Sequence, residues 1–396
     1  MGVFLSVVFL ALISLNGIIG SRMLRSTLIS FCISSAAIAD TWTVDDDGKA
    51  DFDTIQSAVN AASDGDEIIV MPGTYTSTGN EVVMMLGKAI HLHSNGVLLM
   101  PIIDGEGIRR GIICNALESS DTIIEGFTVT GCYANDTKGN GSGLYCSNSS
   151  PTLINCTFTD NFSVNWGGGA YFLNSDSILV NCQFTNNYAE RWGGGMFCDQ
   201  SMLTLTNCTF RDNAADVSAG GLILMYSDAT VTNCTFHINY ASANGGGIFC
   251  FLSNPAISNC DFDSNTAGGD GGGIRCYNDS SPTIDNCTFR NNIAYDLGGA
   301  VANIPNGLPS IAGSYFCGNY PTHMDGTWSD GGNNLMFDVC QYDCPDITGD
   351  GQVNVDDLLS VFDQWGLSMS TADVTLDGTV DFADLLTVIR GWGLCK

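Results

Sequence analysis

The chain has 396 residues, and its 13 Lys and Arg residues against 42 Asp and Glu residues give a net charge of −29. A protein this acidic lacks the positive surface that nucleic-acid binding requires, so we expect no nucleic-acid partner. Only 14% of the residues are charged, whereas 44% are hydrophobic and 47 are Gly. The composition therefore indicates a glycine-rich folded chain and excludes an acidic disordered one.

The first residues of the chain favour export. Arg22 and Arg25 precede an apolar run that ends at Ala39 with the small-residue pattern Ala-Ile-Ala. This pattern predicts a signal peptide over residues 1–39, cleaved after Ala39, and a secreted protein that is extracellular or associated with the cell surface. Met23 is a second possible start of the chain, and a membrane anchor is the alternative to cleavage. No later segment is long and apolar enough to span a bilayer, so we expect no transmembrane span after cleavage.

Three residue types return at one spacing through the middle of the chain. A glycine recurs every 26 residues, at Gly143, Gly169, Gly195, Gly221, Gly247, Gly273 and Gly299. Cysteine and the pattern Phe-x-x-Asn recur with nearly the same period, at Cys156, Cys182, Cys208, Cys234, Cys260 and Cys287 and at Phe158, Phe184, Phe210, Phe236, Phe262, Phe289 and Phe316. Each unit holds short β-type runs separated by Gly and Asn, with no helical period. The repeat therefore predicts a parallel β-helix in which each unit is one coil.

Alignment of the units predicts which side chains face the core. Two columns on one strand are apolar and are expected to face inward: Leu144, Ala170, Met196, Leu222, Ile248 and Ile274, then Cys146, Phe172, Cys198, Leu224, Cys250 and Cys276. The column between them is expected to face outward: Tyr145, Tyr171, Phe197, Ile223, Phe249 and Arg275. A column of asparagines suits a left-handed bend with stacked amides: Asn155, Asn181, Asn207, Asn233, Asn259 and Asn286.

These repeats resemble those of chlamydial polymorphic membrane proteins and of pectin-lyase-like right-handed parallel β-helices. The resemblance covers residues 40–340 and implies a mainly β fold, a right-handed solenoid of 26-residue coils. The segment 52–75 is similar to the opening of many such helices, including that of pectin methylesterases. A short helix in this segment, with Asp53 as N-cap, is expected to cover the open first coil.

Seventeen cysteines without a Cys-x-x-Cys zinc spacing favour an oxidising compartment. Adjacent coils of a β-helix lie about 4.8 Å apart, a separation that a disulfide accepts, so stacked cysteines could pair. Buried free thiols are the alternative. Cys317 with Cys340, and Cys344 with Cys395, are two further disulfide hypotheses.

The composition changes at residues 341–396, where a second repeat begins. Oxygen-bearing residues stand at positions 1, 3, 5, 7, 9 and 12 of two 12-residue calcium loops: Asp346, Thr348, Asp350, Gln352, Asn354 and Asp357, then Asp373, Thr375, Asp377, Thr379, Asp381 and Asp384. Gly at position 6 permits the turn in each loop. The spacing predicts two calcium sites, with calcium as the cofactor; a solvated acidic surface is the alternative.

The paired loops resemble a type I dockerin, which implies a small α-helical C-terminal domain. In that family, loop positions 10 and 11 face the cohesin partner, and here they are Val355 and Asp356, then Phe382 and Ala383. These residues depart from the usual Ser-Thr of the family. The resemblance therefore implies docking to a cohesin-like or cell-surface protein, with a changed contact surface.

An enzyme on this fold would need catalytic residues, and the sequence lacks the motifs in which such residues usually occur. Arg191, Arg211, Arg275 and Arg290 are scattered, with no arginine-rich lyase signature. The clustered Asp with Gly-His-Gly of polygalacturonases and the later methylesterase motifs are also missing. A polysaccharide lyase or glycoside hydrolase remains the alternative to a binding protein.

Isolated polar groups give weaker indications. His91 and His93 alternate onto one strand face and could bind a metal, although a surface role is the commoner use of such histidines. The acid pair Asp261 and Asp263 could serve hydrolysis or calcium binding.

Aromatic residues suggest a glycan surface. Trp166 and Trp192 are one coil apart and close to the outward column of Tyr145, Tyr171, Phe197 and Phe249. Stacked aromatic rings on a flat face suit sugar rings, but they also stabilise sheets. The sequence thus predicts a secreted β-helix that binds extracellular polysaccharide or another surface and docks through a calcium-dependent module.

Overall fold

The structure is a computed structural model that describes residues 39–96, 99–134, 139–338, 340, 345–348, 352–367, 370–375, 379–390 and 392–394, without the side chains of residues 390 and 394. The predicted signal peptide lies outside the described residues, apart from its last residue. Among the described residues, no helix has the length and apolar character needed to cross a membrane.

The predicted right-handed parallel β-helix is confirmed. Four parallel sheets run along the solenoid, and each full coil contributes one strand to each sheet. Sheet 1 has 12 strands: Thr41–Val44, Glu67–Val70, His91–Ser94, Ile123–Glu125, Thr152–Ile154, Ile178–Val180, Thr204–Thr206, Thr230–Thr232, Ala256–Ser258, Thr283–Asp285, Ser310–Ala312 and Ser329–Gly332. Sheet 2 has 11 strands: Thr74–Tyr75, Ile102–Asp104, Thr128–Thr130, Thr157–Thr159, Gln183–Thr185, Thr209–Arg211, Thr235–His237, Asp261–Asp263, Thr288–Arg290, Tyr315–Cys317 and Leu335–Phe337.

The remaining two sheets complete each coil. Sheet 3 has seven short strands: Tyr133–Ala134, Phe162–Ser163, Tyr188–Ala189, Ala214–Ala215, Tyr240–Ala241, Thr266–Ala267 and Ile293–Ala294. Sheet 4 has ten strands: Glu81–Met84, Arg110–Cys114, Leu144–Ser147, Ala170–Leu173, Met196–Asp199, Leu222–Met225, Ile248–Phe251, Ile274–Tyr277, Val301–Asn303 and Met324–Gly326. The chain passes from sheet 1 through sheets 2 and 3 to sheet 4 in each full coil.

The core is a set of stacked columns. Both columns predicted to face inward from sheet 4 are fully buried. On sheet 2 the phenylalanines stack one coil apart, as in the Phe210 and Phe236 pair, whose rings are 4.8 Å apart and 2° from parallel. A single coil cannot bury these faces, so each coil is stabilised by its neighbours.

The recurring glycine is required by the close approach of adjacent coils. A Cβ added to Gly195 would lie 2.6 Å from the carbonyl oxygen of Gly221 and 3.0 Å from the ring of Phe210. Backbone cannot move away inside a stack of coils. The 26-residue glycine repeat therefore reflects backbone packing.

The asparagine column between sheets 1 and 2 adopts the predicted left-handed bend. Its six residues have φ between 52° and 55°. Asn181 donates a hydrogen bond to Asn155, Asn207 to Asn181 and Asn233 to Asn207, over 3.1–3.2 Å. Side-chain amides in this conformation satisfy one another across coils, which favours Asn at every one of these bends.

Helix α1, Ile55–Ala61, covers the first coil. Ile55, Ala58 and Val59 are buried in the main core, as predicted. The expected N-cap was wrong: Thr54, and not Asp53, is the cap, because its side-chain oxygen accepts a hydrogen bond from the backbone N–H of Ser57.

The cysteine hypotheses have different outcomes. The disulfide between Cys317 and Cys340 is confirmed, whereas Cys344 and Cys395 lie outside the described residues. Pairing between stacked cysteines is wrong, because the twelve other described cysteines are buried free thiols. Many of their sulfurs lie near backbone carbonyls, as that of Cys182 does at 3.5 Å from the oxygen of Val180. They are small core side chains.

Candidate functional site

The C-terminal region is a pair of related loop and helix units. Helix α2 spans Val355–Asp363 and helix α3 spans Phe382–Arg390, and each follows one predicted calcium loop. The strands Gln352–Val353 and Gly393–Leu394 pair antiparallel, so the first loop joins the segment after α3. Val380 of the second loop exchanges backbone hydrogen bonds with the segment after α2, at Gly366 and Leu367. Each unit of the 27-residue repeat therefore makes equivalent backbone contacts with the segment that follows the other unit's helix.

Position 12 organises the first loop. Asp357 is fully buried, and its Oδ1 accepts hydrogen bonds from the backbone N–H and the hydroxyl of Thr348 at 2.9 and 3.0 Å. Its Oδ2 accepts one from the N–H of Asn354 at 2.8 Å. The Thr348 hydroxyl also lies 3.2 Å from Asp346 Oδ1. Oxygens of positions 1, 3 and 12 therefore converge. Burial alone would raise the pKa of Asp357, but the hydrogen bonds from Thr348 and Asn354 hold this pKa below its ordinary value.

The second loop repeats this geometry. Asp384 is fully buried and accepts from the N–H and hydroxyl of Thr375 at 2.8 and 2.9 Å, and from the N–H of Asp381 at 2.8 Å. Asp373 is buried, and Thr379 is exposed, as is Gln352 in the first loop. The position 5 residues Asp350 and Asp377 lie outside the described residues. The oxygen donors that are described fit a calcium ion, which takes six to eight oxygen ligands.

The residues predicted to dock a partner lie on the surface at the start of each helix. Val355 is 53% exposed and Phe382 is 61% exposed, and Asp356 and Ala383 are exposed beside them. Each helix and the residues just after it carry further exposed apolar side chains: Leu359, Phe362 and Trp365, then Ile389 and Trp392.

The predicted aromatic platform is partly an interior cluster. Tyr171, Phe197 and Phe249 are buried, at 3%, 0% and 9% exposure, although they point away from the main core. The turn residues Trp166 and Trp192 fold over them and form a second apolar cluster, with Tyr145 partly buried at its edge. The column faces outward, as predicted, but these three side chains are covered and not open to solvent.

The two tryptophans stack along the solenoid axis. Their ring centroids lie 5.8 Å apart at 6°, and Trp166 also stacks on Phe197 at 5.1 Å and 10°. The ring faces are thus directed at one another and at Phe197. Such stacking stabilises the sheet and leaves little ring face for a sugar.

A second surface, the asparagine strip, follows the bend between sheets 1 and 2 and consists of Asn155, Asn181, Asn207, Asn233, Asn259 and Asn286. All six amides are exposed or half-exposed. The first outward residues of sheet 2 lie beside the strip and are mostly polar: Thr157, Gln183, Thr209, Thr235, Asp261 and Thr288. The strip is therefore a polar surface that repeats over six successive coils.

A pocket lies at each end of the asparagine strip. One, of about 500 Å³, is lined by His93, Glu125, Asn155 and Asn181 together with the loop around Gly96. The other, of about 420 Å³, is lined by Asn259, Asn286, Asp261, Arg290 and, from the C-terminal region, Thr375. The strip thus joins two recesses that carry charged groups.

Asp261 and Arg290 form an ion pair in the second pocket, with Arg290 Nη2 2.8 Å from Asp261 Oδ2. Burial raises the pKa of Asp261 above its ordinary value, and the charge of Arg290 only partly offsets this. Among the described residues, neither Asp261 Oδ1 nor Arg290 Nε has a hydrogen-bond partner. The sequence analysis placed Arg290 among scattered arginines and did not predict this pair. The inserted residue before Cys287 could have indicated it, because it sets the register in which Asp263 pairs with Arg290. In that register Asp261 lies within reach of Arg290.

The other arginines stay apart from this pair. Arg275 is buried and lies 3.1 Å from Asp270, at the end of the outward column of sheet 4. Arg211 pairs with the adjacent Asp212, and Arg191 is exposed. The structure therefore brings Arg290 and Asp261 together in a pocket. Beside them, His237 Nδ1 lies 3.3 Å from Asp263 Oδ2.

Comparison with known proteins agrees with the solenoid. The family model described as right-handed beta helix region matches residues 110–239 and 215–303. No curated protein matches significantly. Similar solved structures include pectate lyase Pel9A, at 14% identity and a TM-score of 0.40, covering 87% of this chain and 88% of that one. An alginate lyase from Paenibacillus sp. str. FPU-7 has 12% identity and a TM-score of 0.30, with 75% and 97% covered.

A pectin methylesterase from Aspergillus niger is also similar, at 13% identity and a TM-score of 0.26, with 77% of this chain and 86% of that chain covered. By its coil topology and by the family model that it matches, the chain is a right-handed parallel β-helix with a small helical region at its C-terminus.

Proposed function

We propose that this protein is a secreted β-helix that binds an extended extracellular polysaccharide along the asparagine strip and is docked by its calcium-dependent C-terminal module. The observation that carries the proposal is the strip itself. It offers the same amide group at six successive coils, on a rigid surface, with a charged pocket at each end.

The chemistry of the strip suits a sugar chain. A middle amide such as Asn207 donates one N–H to Asn181 and accepts one hydrogen bond at its oxygen from Asn233. It keeps a second N–H and a second oxygen lone pair for a ligand. Coils repeat about every 4.8 Å, and an extended chain of pyranose rings repeats at a similar distance. Polysaccharide hydroxyls could therefore meet the same donors and acceptors from one coil to the next.

The C-terminal module supplies the second half of the proposal. Converging oxygens around Asp357 and Asp384 support calcium binding in both loops. Exposed Val355 and Phe382 stand at equivalent places on the two helices and support docking to a cohesin-like or cell-surface protein. A bound ion would order the loops that begin these helices, which makes docking depend on calcium.

Glycine variants test the strip. Asn181→Gly, Asn207→Gly and Asn233→Gly remove three amides while a residue without Cβ keeps the left-handed backbone. Retention of the triple variant on polysaccharide gels should fall about tenfold or more if three hydrogen-bonding positions are lost. The matched control is Asn174→Gly, because Asn174 is exposed, has φ of 49° and donates to Asn148 at a different bend. Equal retention of the triple variant and the wild type would contradict the proposal.

A polysaccharide lyase or hydrolase is the second candidate, favoured by the ion pair of Asp261 and Arg290. A carboxyl whose pKa is raised by burial, beside an arginine in a pocket, suits proton transfer and charge stabilisation. Release of new reducing ends or unsaturated uronates that is lost in Asp261→Asn, and kept in a variant of the exposed Asp285, would favour this enzyme.

A further inference from the structure

The first coils carry a cluster of histidines and carboxylates that the polysaccharide proposal does not use. Glu67 lies on one strand of sheet 1, His91 and His93 on the next, and Glu125 on the third. The register pairs Glu67 with His91 and His93 with Glu125. The residues between them, Ile68, Leu92 and Ile124, are fully buried, so these four side chains project outward from the same face.

The four side chains contact one another. His93 Nε2 lies 2.9 Å from Glu67 Oε1, and His91 Nε2 lies 3.1 Å from Glu125 Oε2. The two imidazole rings are 4.4 Å apart. One ligand atom from each of Glu67, His91 and His93 lies within 4.8 Å of the other two. If the three atoms moved closer together by about an ångström, a Zn²⁺ ion between them could lie at the 2.0–2.2 Å that it requires from nitrogen and oxygen ligands.

The second ring nitrogen of His93 is already fixed. Its Nδ1 lies 3.1 Å from the backbone oxygen of Ser94 and can donate only if it carries the proton. A neutral ring then has its lone pair on Nε2, which faces Glu67. A metal bound at Nε2 would leave the contact between Nδ1 and Ser94 in place. A histidine held in this way by a carbonyl is the usual outer shell of a protein metal site.

We propose that Glu67, His91 and His93 bind a divalent transition-metal ion, Zn²⁺ in the first instance, with Glu125 as the fourth ligand or as the partner that orients His91. Two imidazole nitrogens favour such an ion over Ca²⁺, which prefers oxygen ligands.

Ions can reach the cluster from two sides. His93 and Glu125 line the pocket at the first end of the asparagine strip, and Glu67 and His91 line another pocket, of about 540 Å³. That second pocket is also lined by Asp64, Asp66 and Asp121, whose negative charge raises the local concentration of cations. The bound ion would link two adjacent strands of sheet 1, or three where Glu125 is the fourth ligand, and so stabilise the first coils.

Calorimetric titration of the full chain with Zn²⁺, in excess Ca²⁺ to fill the C-terminal loops, tests the proposal. One Zn²⁺ should bind the wild type, and Glu67→Gln and His93→Ala should each weaken binding by about tenfold or more. Substitution with Co²⁺ should give a visible absorption band from nitrogen and carboxylate ligation that both variants lose.

The control is His237→Ala, which removes a histidine paired with Asp263 at 3.3 Å on sheet 2. It should bind Zn²⁺ as the wild type does. Glu67→Gln keeps the shape of the side chain, so loss of binding in this variant with an unchanged circular dichroism spectrum reports the ligand and not the fold. Failure of the wild type to bind Zn²⁺, or equal binding in Glu67→Gln and His93→Ala, would overturn the proposal.

Discussion

At the scale of single residues, two asparagine columns do different work in the same coil. The strip residue Asn207 is exposed and bonds to the neighbouring strip amides. Asn213, six residues later, is buried and uses its whole amide. Its Nδ2 donates to the oxygens of Phe184 and Asn239, and its Oδ1 accepts from the N–H and the amide of Asn187.

Replacement of Asn213 by Ala should therefore be far more costly than Asn207→Gly. It leaves several buried polar groups without partners, each of which costs about 1–3 kcal/mol. We expect Asn213→Ala to lower the free energy of unfolding by about 3 kcal/mol or more, and Asn207→Gly by about 1 kcal/mol or less. Urea denaturation of both variants measures the difference. Similar losses in the two would show that the inner ladder contributes no more than the strip.

A carboxylate at the first coil gives the stability a pH dependence. Asp66 is buried and accepts hydrogen bonds from the backbone N–H groups of Ser63 and Asp40 and from the indole of Trp42. The bonds from Ser63 and Asp40 lower the pKa of Asp66 below its ordinary value of 3.8. Its contribution is therefore complete above pH 3.8 and is lost as the pH falls through the lower folded-state pKa.

Asp66→Asn should destabilise the protein by about 1–3 kcal/mol at pH 7, because it removes a charged acceptor from three donors. The difference from the wild type should shrink below pH 3.8, where the wild-type carboxylate also becomes protonated. Denaturant titrations at pH 7 and pH 3 check this, with the exposed Asp121→Asn as the control. A difference that grows on acidification would contradict the assignment.

At the scale of elements, the turns that precede sheet 4 build a second apolar cluster on its outer face. Trp166 and Trp192 are held by Phe197 and by each other, at 5.1, 5.8 and 6.2 Å between ring centroids. The cluster is part of the fold, since it covers side chains that would otherwise expose large apolar surface.

The double variant with Trp166→Ala and Trp192→Ala should lose about 3–5 kcal/mol of stability while keeping glycan retention, because the rings stabilise sheet 4 and the glycan lies on the asparagine strip. Thermal unfolding and gel retention of one sample measure both quantities. The exposed Tyr295→Ala serves as an aromatic control outside the cluster. If the double variant lost glycan retention but kept its stability, the tryptophans and not the asparagine strip would be the glycan-binding site.

The coil period made much of the fold predictable. It fixed the strand register, so the inward columns and the left-handed Asn155 bend could be assigned directly. It could not show that Trp166 covers Phe197, because this depends on how a turn folds back over a sheet. The first coils depart from the period: Glu67 pairs with His91 after 24 residues, and His93 with Glu125 after 32. The contacts between these histidines and glutamates therefore could not be predicted from the repeat.

At the scale of the whole molecule, a solenoid is followed by a small helical module for which we propose calcium-dependent order. Both loops are held by one buried aspartate each, Asp357 and Asp384, that also caps the helix which follows. Ion binding should therefore be coupled to the folding of the module and not to that of the coils.

Asp357→Ala should abolish calcium binding at the first loop and destabilise α2, because it removes a ligand and the capping hydrogen bonds together. Calorimetry of the full chain should detect two calcium ions in the wild type, and only the second-loop ion in the variant. Asp363→Ala, at the exposed end of α2, is the control. Two sites of unchanged affinity in Asp357→Ala would refute the assignment of position 12.

The most direct test of the account is to incubate the mature, calcium-loaded protein with a broad panel of insoluble and gel-embedded polysaccharides, and to measure retention and released sugar in the same tubes. We predict retention on at least one glycan, without new reducing ends or unsaturated uronates. No retention on any glycan would contradict glycan binding. Release of products would show that the protein is an enzyme, and would direct mutagenesis to the pocket of Asp261 and Arg290.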